Sequence, residues 1–268
     1  MNTLLKNIVF CTVFLLISCN TKEKQTDKNT ASQKEVSEDK TPKSELPKAE
    51  IIINKAIKAH GGDLYETAAY TFEFRKKQYT FQNKKNGYTY TVKSTKEGKK
   101  IIDVLENNSF SRTIDSVNIA VTAKEIKTYT EALNSVVYFA TLPHKLNDKA
   151  VHKKYKGTTS IKGISYHVIE VSFDEKGGGT DFDDEFVYWV NEITNTIDYI
   201  AYKYHVNEGG VRFRTAYNAR KVGGIIFQDY VNYKAPMKTV LEDLPAMFEK
   251  GELKELSKII TENIKNLK

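Results

Sequence analysis

Five histidines are the first residues to consider for chemistry: His60, His144, His152, His167 and His205. No two of them show the i, i+4 spacing and adjoining glutamate of a zinc-binding helix. His60 ends a predicted helix just before Gly61-Gly62, where an imidazole can cap free carbonyls and meet the helix dipole. We interpret His60 as structural, and metal binding or catalysis by it stays open as an alternative.

The chain lacks the signatures of the common catalytic and cofactor sites. No G-x-S-x-G, P-loop or dinucleotide-binding pattern occurs. The only cysteines are Cys11 and Cys19, so the body of the chain offers no thiol for catalysis, zinc binding or a disulfide. We therefore predict no catalytic residue, no metal and no cofactor, and we favour a function other than that of an enzyme.

Arginines form a second group with chemical capacity. The segment VRFRTAYNAR places Arg212, Arg214 and Arg220 on one face of a predicted strand. Guanidinium groups on one face can hold a carboxylate or phosphate through bidentate contacts. The alternative is a solvated face, paired with a nearby acidic set: Asp181, Asp183, Asp184 and Glu185.

The acidic set belongs to the stretch GGGTDFDDE, residues 177–185. Glycines and carboxylates in this density could form a calcium loop, but their spacing is not that of an EF-hand. We interpret the stretch as an acidic hairpin tip, and we predict no metal there.

Aromatic residues dominate the predicted strands, because the chain has 16 Tyr and 13 Phe. One strand face could line an apolar pocket for an acyl chain or a similar molecule, or the same side chains could simply form the core. A register shift of one residue would turn the predicted set to the other face. The predicted ligand-binding residues are Phe72, Phe74, Tyr188, Tyr199, Ala201, Phe213 and Phe227, with Arg212, Arg214 and Arg220.

The first residues have the pattern of a secretory signal. Lys6 precedes an apolar run from Ile8 to Ile17, about half of the roughly 20 residues that a membrane-spanning helix needs. Leu16-Ile17-Ser18-Cys19 resembles the lipobox of bacterial lipoproteins, in which cleavage precedes the cysteine and its thiol carries a diacylglycerol. The resemblance implies a signal peptide over residues 1–18 and lipidation of Cys19. The alternative is an ordinary signal peptide with an incidental Cys19.

Residues 19–47 form a predicted disordered tether between the lipid and the body of the chain. Lys, Glu, Asp, Ser and Thr dominate this stretch, so it cannot bury enough apolar surface to offset its ordering entropy. A flexible chain of this length spans about 30 Å. Asn20, not an aspartate, follows Cys19, and this favours the outer membrane as the destination. The partner implied is a membrane reached through the N-terminal lipid, with the domain facing the periplasm or the outside.

The charge pattern argues against nucleic acid as a partner. The chain has 41 basic and 34 acidic residues, a formal net charge of +7, and no separate basic block. It contains no nucleic-acid-binding motif. The sequence identifies no protein partner.

Residues 48–268 are predicted to form one α+β domain. Helical patterns over 48–60 and 122–146 flank and interrupt a series of alternating strands, and one or two short helices are expected at the end. Thr122 and Glu125 have the spacing of a capping box. A change of phase near Lys76-Lys77 suggests a bulge. These features predict a curved antiparallel sheet, an incomplete β-barrel with helices packed in or over its concave face and its other face solvated.

Two resemblances agree with this architecture. Tyr188-Trp189-Val190-Asn191, a turn, and Ile197-Asp198-Tyr199 resemble the hairpin of the LolA/LolB-like superfamily, envelope proteins in which an incomplete β-barrel lidded by helices holds acyl chains. The whole domain resembles an uncharacterised family of Gram-negative envelope lipoproteins with a domain of unknown function. Matching pieces within residues 48–235 include Ala59–Gly62, Leu142–Asp148, Gly210–Arg214 and Asp229–Tyr233.

The family has no established activity, so its resemblance implies an architecture and an envelope location only. We favour an outer-membrane-anchored lipoprotein whose half-barrel binds a hydrophobic or amphiphilic ligand. Two alternatives remain. The first is a structural or scaffold lipoprotein with a filled core and no ligand. The second is an enzyme that acts on a small substrate through His60.

Overall fold

The computed structural model describes residues 46–176, 182–205 and 208–268. The predicted signal peptide, Cys19, most of the predicted tether and Asp181 lie outside the described residues. The helices are α1 (Lys48–His60), α2 (Ala123–Ala140) and α3 (Leu244–Glu249), with 3-10 turns at Gly62–Thr67, His144–Asn147 and Leu241–Asp243.

Fourteen strands are described, and they form two seven-stranded sheets whose neighbours are all antiparallel. The first sheet has the order β14-β1-β2-β3-β4-β5-β6. Its strands are β1 (Ala69–Phe74), β2 (Lys77–Lys84), β3 (Gly87–Lys96), β4 (Lys99–Glu106), β5 (Ser109–Ile114), β6 (Val117–Asn118) and β14 (Glu262–Asn266).

The second sheet has the order β13-β12-β11-β10-β9-β8-β7. Its strands are β7 (Val151–Ile161), β8 (Ile164–Phe173), β9 (Glu185–Asn191), β10 (Ile197–Tyr204), β11 (Gly210–Val222), β12 (Ile225–Ala235) and β13 (Lys254–Ile259).

The C-terminal segment connects the two sheets. β13 pairs with β12, and after Ile260 and Thr261 the chain continues as β14, which pairs with β1. The sheets therefore follow one another as an open, curved antiparallel surface with helices packed on it. This confirms the predicted fold class.

The two long helices begin where the sequence predicts and α1 also ends there, but α2 ends at Ala140, and the 3-10 turn His144–Asn147 takes the end of the predicted helical stretch. α1 buries the stripe Ala49, Ile52, Ile53 and Ala56 against the second sheet. It stops at Gly61, where φ is +147° and a Cβ would lie 2.9 Å from Ile225. α2 starts with a complete capping box: Thr122 Oγ1 accepts from the Glu125 N–H, and the Glu125 carboxylate accepts from the Thr122 N–H.

Three apolar cores hold the described residues together. The first lies between α1 and one face of the second sheet, and the second lies between α2 and the first sheet. The third covers the opposite face of the second sheet, where Leu244 of α3 packs over Trp189 and Phe213. The prediction of a solvated second face is therefore wrong for the centre of this sheet. Both faces are buried there, which explains why every residue of β9 after Glu185 is buried.

Two local predictions are also wrong. The predicted bulge near Lys76-Lys77 is a tight hairpin turn, because Phe74 pairs with Lys77 and the two residues between them have positive φ. Of the one or two short helices predicted at the end of the chain, α3 is present, but the residues after it form the strands β13 and β14 instead of a second helix. Backbone pairing of β13 with β12 and of β14 with β1 outweighs the helical spacing of their apolar residues.

Candidate functional site

A cavity of about 660 Å³ opens between α2, β3 and strands β9 to β11. Its walls are largely aromatic, and charged groups occupy one part of them. The aromatic lining is Tyr88, Tyr90, Tyr138, Phe139, Phe173, Phe186, Tyr202 and Tyr204. The charged lining is Glu131, Lys145, Asp148, Asp184, Arg212 and Arg214.

Strand register brings the aromatic and cationic side chains to one face. Tyr202 of β10 lies opposite Phe186 on one side and Arg212 on the other. Alternate residues of a strand point the same way, so Arg214 lies on the same face as Arg212, about 7 Å further along β11. This face of the second sheet forms the polar wall of the cavity.

Arg214 is a buried cation with incomplete hydrogen bonding. Arg214 is only 8% exposed, and its guanidinium lies 3.9 Å from the centre of the Phe139 ring. Nη2 donates to the Tyr202 hydroxyl at 2.7 Å. Nε, also buried, has no hydrogen-bond acceptor among the described residues. A buried charge normally has its donors satisfied, so this group marks a site where a partner is expected.

Arg212 repeats the arrangement two residues earlier. Its Nη2 donates to the Tyr204 hydroxyl, and Nη1 donates to the Val211 carbonyl at 3.0 Å. Gly210 makes this contact possible, because a Cβ there would lie 2.6 Å from both the Arg212 guanidinium and the Tyr204 hydroxyl. No sequence pattern had indicated Gly210, Tyr202 or Tyr204 as site residues. Alternation along β10 and β11 would have found the tyrosines once the inner face was known.

The carboxylates of the cavity differ in their partners. Glu131 lies 3.8 Å from Lys127, but its buried Oε1 has no hydrogen-bond partner among the described residues, and Asp148 lies 3.5 Å from Lys145. Asp184 is buried in the wall and has an interaction of its own. Among the described residues, Arg112 and Arg220 form ion pairs within 4.0 Å, and neither Arg212 nor Arg214 does. The arginine pair thus provides positive charge without a bound carboxylate in the described part of the chain.

The structure does not bring Arg220 to the cavity with the other two arginines. The β11–β12 register shifts between Tyr217 and Arg220, which breaks the predicted single face. Arg220 instead donates to Asp229 at 2.9 Å, and Asn218 donates to the same carboxylate at 2.7 Å. Asp229 is 1% exposed, so this cluster joins strands and leaves no open site.

The seven predicted apolar lining residues pack into cores. Tyr199, Ala201 and Phe213 lie in the third core, on the face of the second sheet opposite the cavity. Their neighbours one position away, such as Tyr202 and Arg212, face the cavity, so the placement differs by one register step. The other four lie in the first and second cores: Phe72, Phe74, Tyr188 and Phe227.

His60 has a structural position. It is 1% exposed, and its Nε2 accepts from the Ile197 N–H at 3.2 Å. Burial lowers the pKa of His60 to about 4, so the ring is neutral near pH 7 and does not meet the helix dipole as a cation. His144 stacks on Tyr65 with ring centres 4.7 Å apart, and burial lowers its pKa to about 4 as well.

The described residues contain neither a metal-binding cluster nor a membrane-spanning helix. Within 46–176, 182–205 and 208–268, no group of three His, Cys, Asp or Glu side chains could hold a metal ion. Across the same residues, every helix is too short or too polar to span a bilayer.

Known proteins provide a family match and several structural similarities. The model of a family of unknown function (DUF6503) matches residues 6–262 and confirms the resemblance to an uncharacterised family. No curated protein matches the chain.

Solved structures resemble the chain at low sequence identity. A LolA superfamily protein from Nitrosomonas europaea has 11% identity and a TM-score of 0.47, with 81% of this chain and 92% of that chain covered. A DUF1329 family protein from Desulfovibrio piger has 13% identity and a TM-score of 0.40, with 82% and 93% covered. A domain from Vibrio parahaemolyticus, named for outer-membrane lipoprotein sorting, has 6% identity and a TM-score of 0.38, with 75% and 84% covered.

Proposed function

Because the chain belongs to DUF6503, a family of unknown function, we propose its function from the geometry of the cavity: it binds an amphiphilic molecule there. The observation that carries the proposal is an aromatic-walled space of about 660 Å³ with two arginines in one wall. Small-molecule sites have volumes of about 300 to 1,000 Å³ and combine apolar walls with a few polar groups. A filled scaffold would not need such a space.

The walls of the cavity are chemically divided. Phe139, Phe173 and Phe186 provide apolar surface, and Arg212 and Arg214 provide charge. A ligand with an apolar chain and a polar head can satisfy both parts, whereas a pure hydrocarbon would leave the buried cations unsatisfied.

The second part of the proposal is a place in the cell envelope. A lipid on Cys19 would anchor the chain in the outer membrane, and residues 20–47 would tether the domain near lipid surfaces. The lipobox-like segment and the polar composition of the tether support this part. This location would give the binding domain access to amphiphilic ligands from the adjoining bilayer.

The test is the mass of what copurifies with the full chain carrying Cys19→Ser, which removes the proposed anchor and leaves the cavity unchanged. We expect native mass spectrometry to show one amphiphile per chain, and solvent extraction to release it. Phe139→Glu, which introduces a charge into the cavity wall, should abolish the bound mass. Ile193→Glu is the matched control, because Ile193 is 86% exposed and outside the cavity lining.

A clean unliganded mass, with no shift after fatty acids or phospholipids are added, would contradict ligand binding. That result would favour the scaffold alternative.

A further inference from the structure

The polar wall of the cavity displays donors in a repeated arrangement. Arg214 donates to the Tyr202 hydroxyl, and Arg212 donates to the Tyr204 hydroxyl, each from β11 to the neighbouring strand β10. A phenol oxygen that accepts a hydrogen bond keeps its own O–H available as a donor. Within the described residues, neither hydroxyl donates to a protein acceptor. The four side chains therefore present N–H and O–H groups to the cavity.

Arg214 is the strongest indication that an anion belongs there. It is 8% exposed, and its buried Nε has no acceptor among the described residues. Stacking on Phe139 at 3.9 Å stabilises the cation in part, but a ring face accepts no in-plane N–H bond. A desolvated guanidinium is costly unless its donors meet acceptors, and planar oxyanions suit its fork geometry.

Two carboxylates of the cavity come from its helical side and not from the arginine wall. Asp148 lies 3.5 Å from Lys145, and Glu131 lies 3.8 Å from Lys127 without a hydrogen bond to its Oε1. Asp184 of the wall also has an interaction. The arginine pair remains without an ion-pair partner among the described residues, so an added anion would meet it directly.

We propose that Arg214 and Arg212, with the hydroxyls of Tyr202 and Tyr204, bind the oxyanion head of an amphiphile, a carboxylate or a phosphate group. This inference rests on the proposed function and specifies its ligand class. The apolar chain would lie against Phe139 and Phe186, beside the head group. A neutral or cationic head would leave the Arg214 donors unsatisfied and would bind more weakly.

The experiment compares three ligands with the same chain and different heads: decanoate, decyl phosphate and decanol. Isothermal titration uses the full chain with Cys19→Ser at pH 7.5. We expect decanoate and decyl phosphate to bind about 10- to 100-fold more tightly than decanol, the usual effect of hydrogen bonds to a charged group. Acetate and inorganic phosphate serve as head groups without a chain and should bind far more weakly.

Two variants test the assignment to the arginines. Arg214→Gln should bring the ratio of decanoate to decanol affinity close to one. Arg212→Gln should lower the same ratio, and it keeps the test decisive if Arg214→Gln does not fold by circular dichroism. Arg75→Gln, an equal change of charge at an exposed turn, should retain the wild-type ratio.

Each of the other outcomes contradicts one or both of the two proposals, the oxyanion site and the binding of an amphiphile. Equal affinities of decanoate and decanol would overturn the oxyanion site and leave amphiphile binding standing. Acetate or phosphate binding as tightly as the decyl ligands, with dependence on Arg214, would mean a free-anion site and overturn the amphiphile. Absence of binding by every ligand would overturn both proposals.

Discussion

At the scale of single residues, His60 shows how burial determines what a titratable group can do. Its Nε2 accepts from the Ile197 N–H, which requires an unprotonated ring, and burial lowers its pKa from 6.5 to about 4. The unfolded chain takes up a proton below pH 6.5 and the folded chain does not, so stability falls as the pH drops from about 6.5 towards 4. Linkage gives a loss of about 2 kcal/mol at pH 5.

Chemical denaturation at pH 7.5 and pH 5 checks this prediction. His60→Gln keeps a side-chain acceptor for Ile197 and removes the titration, so its stability should fall by about 2 kcal/mol less than that of the wild type. His205→Gln, at an exposed position, is the control and should behave like the wild type. Parallel losses in all three proteins would mean that His60 does not titrate as inferred.

The residue types at the site were predictable, but their partners were not. The sequence identified Arg212 and Arg214 as candidates for anion contact, and both line the cavity. Arg220 was predicted to lie on the same strand face, but a register shift in β11 separates it from the other two arginines, and it contacts Asp229 instead. The contact of His60 with Ile197 depends on tertiary packing across much of the chain, and no local pattern encodes it.

At the scale of elements, the buried cluster around Asp229 fastens the C-terminal strands. Its carboxylate accepts from Arg220 at 2.9 Å, from Asn218 at 2.7 Å and from the Thr261 N–H at 2.9 Å, between β13 and β14. Asp229→Ala would leave the Thr261 N–H and the Asn218 amide without this acceptor, and it would remove the ion-pair partner of Arg220, whose side chain is 27% exposed and still donates to Thr261. We expect a loss of about 2 to 3 kcal/mol in the free energy of unfolding, the cost of leaving buried donors unsatisfied.

Glu106→Ala is the matched control, measured by the same urea denaturation. It also removes one carboxylate from an ion pair, but the Lys84 and Glu106 side chains are 57% and 55% exposed, so we expect at most about 1 kcal/mol. A similar loss in both variants would show that the Asp229 cluster does not stabilise the attachment of these strands.

Elements with strong local patterns were predictable, and those decided by pairing were not. α1, α2 and the aromatic-rich strands follow their periodicity and capping signals. β7 was not foreseen, because its sequence is rich in lysine and polar residues and its strand character depends on pairing with β8. β13 and β14 have helical spacing and form strands because β12 and β1 supply partners.

At the scale of the whole molecule, the proposed anchor determines where the binding domain works. The wild-type chain should lack residues 1–18 and carry the mass of its lipid, which holds it in the bilayer. Cys19→Ser should lose both the lipid mass and the cleavage, because the cleaved site is the one that carries the cysteine. Intact mass measures both changes. Cys11→Ser, within the predicted signal peptide, should leave the mature mass unchanged. A wild-type chain without the lipid mass would contradict the lipid anchor.

The general architecture was predictable because alternating strands and two well-marked helices constrain the fold class. The inner face was not, since one register step exchanges the two faces of every strand, and both faces of the second sheet are buried. The seven aromatic and small residues predicted to line a pocket therefore lie in the cores, and residues next to several of them along the strands line the cavity.

The pairing of β1 with β14 also affects the order of folding. Tyr70 opposes Asn266, and two positions roughly 200 residues apart meet only after a large loop has closed, so we expect this pairing to form late. Until β14 is in place, β1 exposes an unpaired backbone edge, which strands of other chains can recognise. Incompletely folded chains should therefore associate first along this edge of the first sheet.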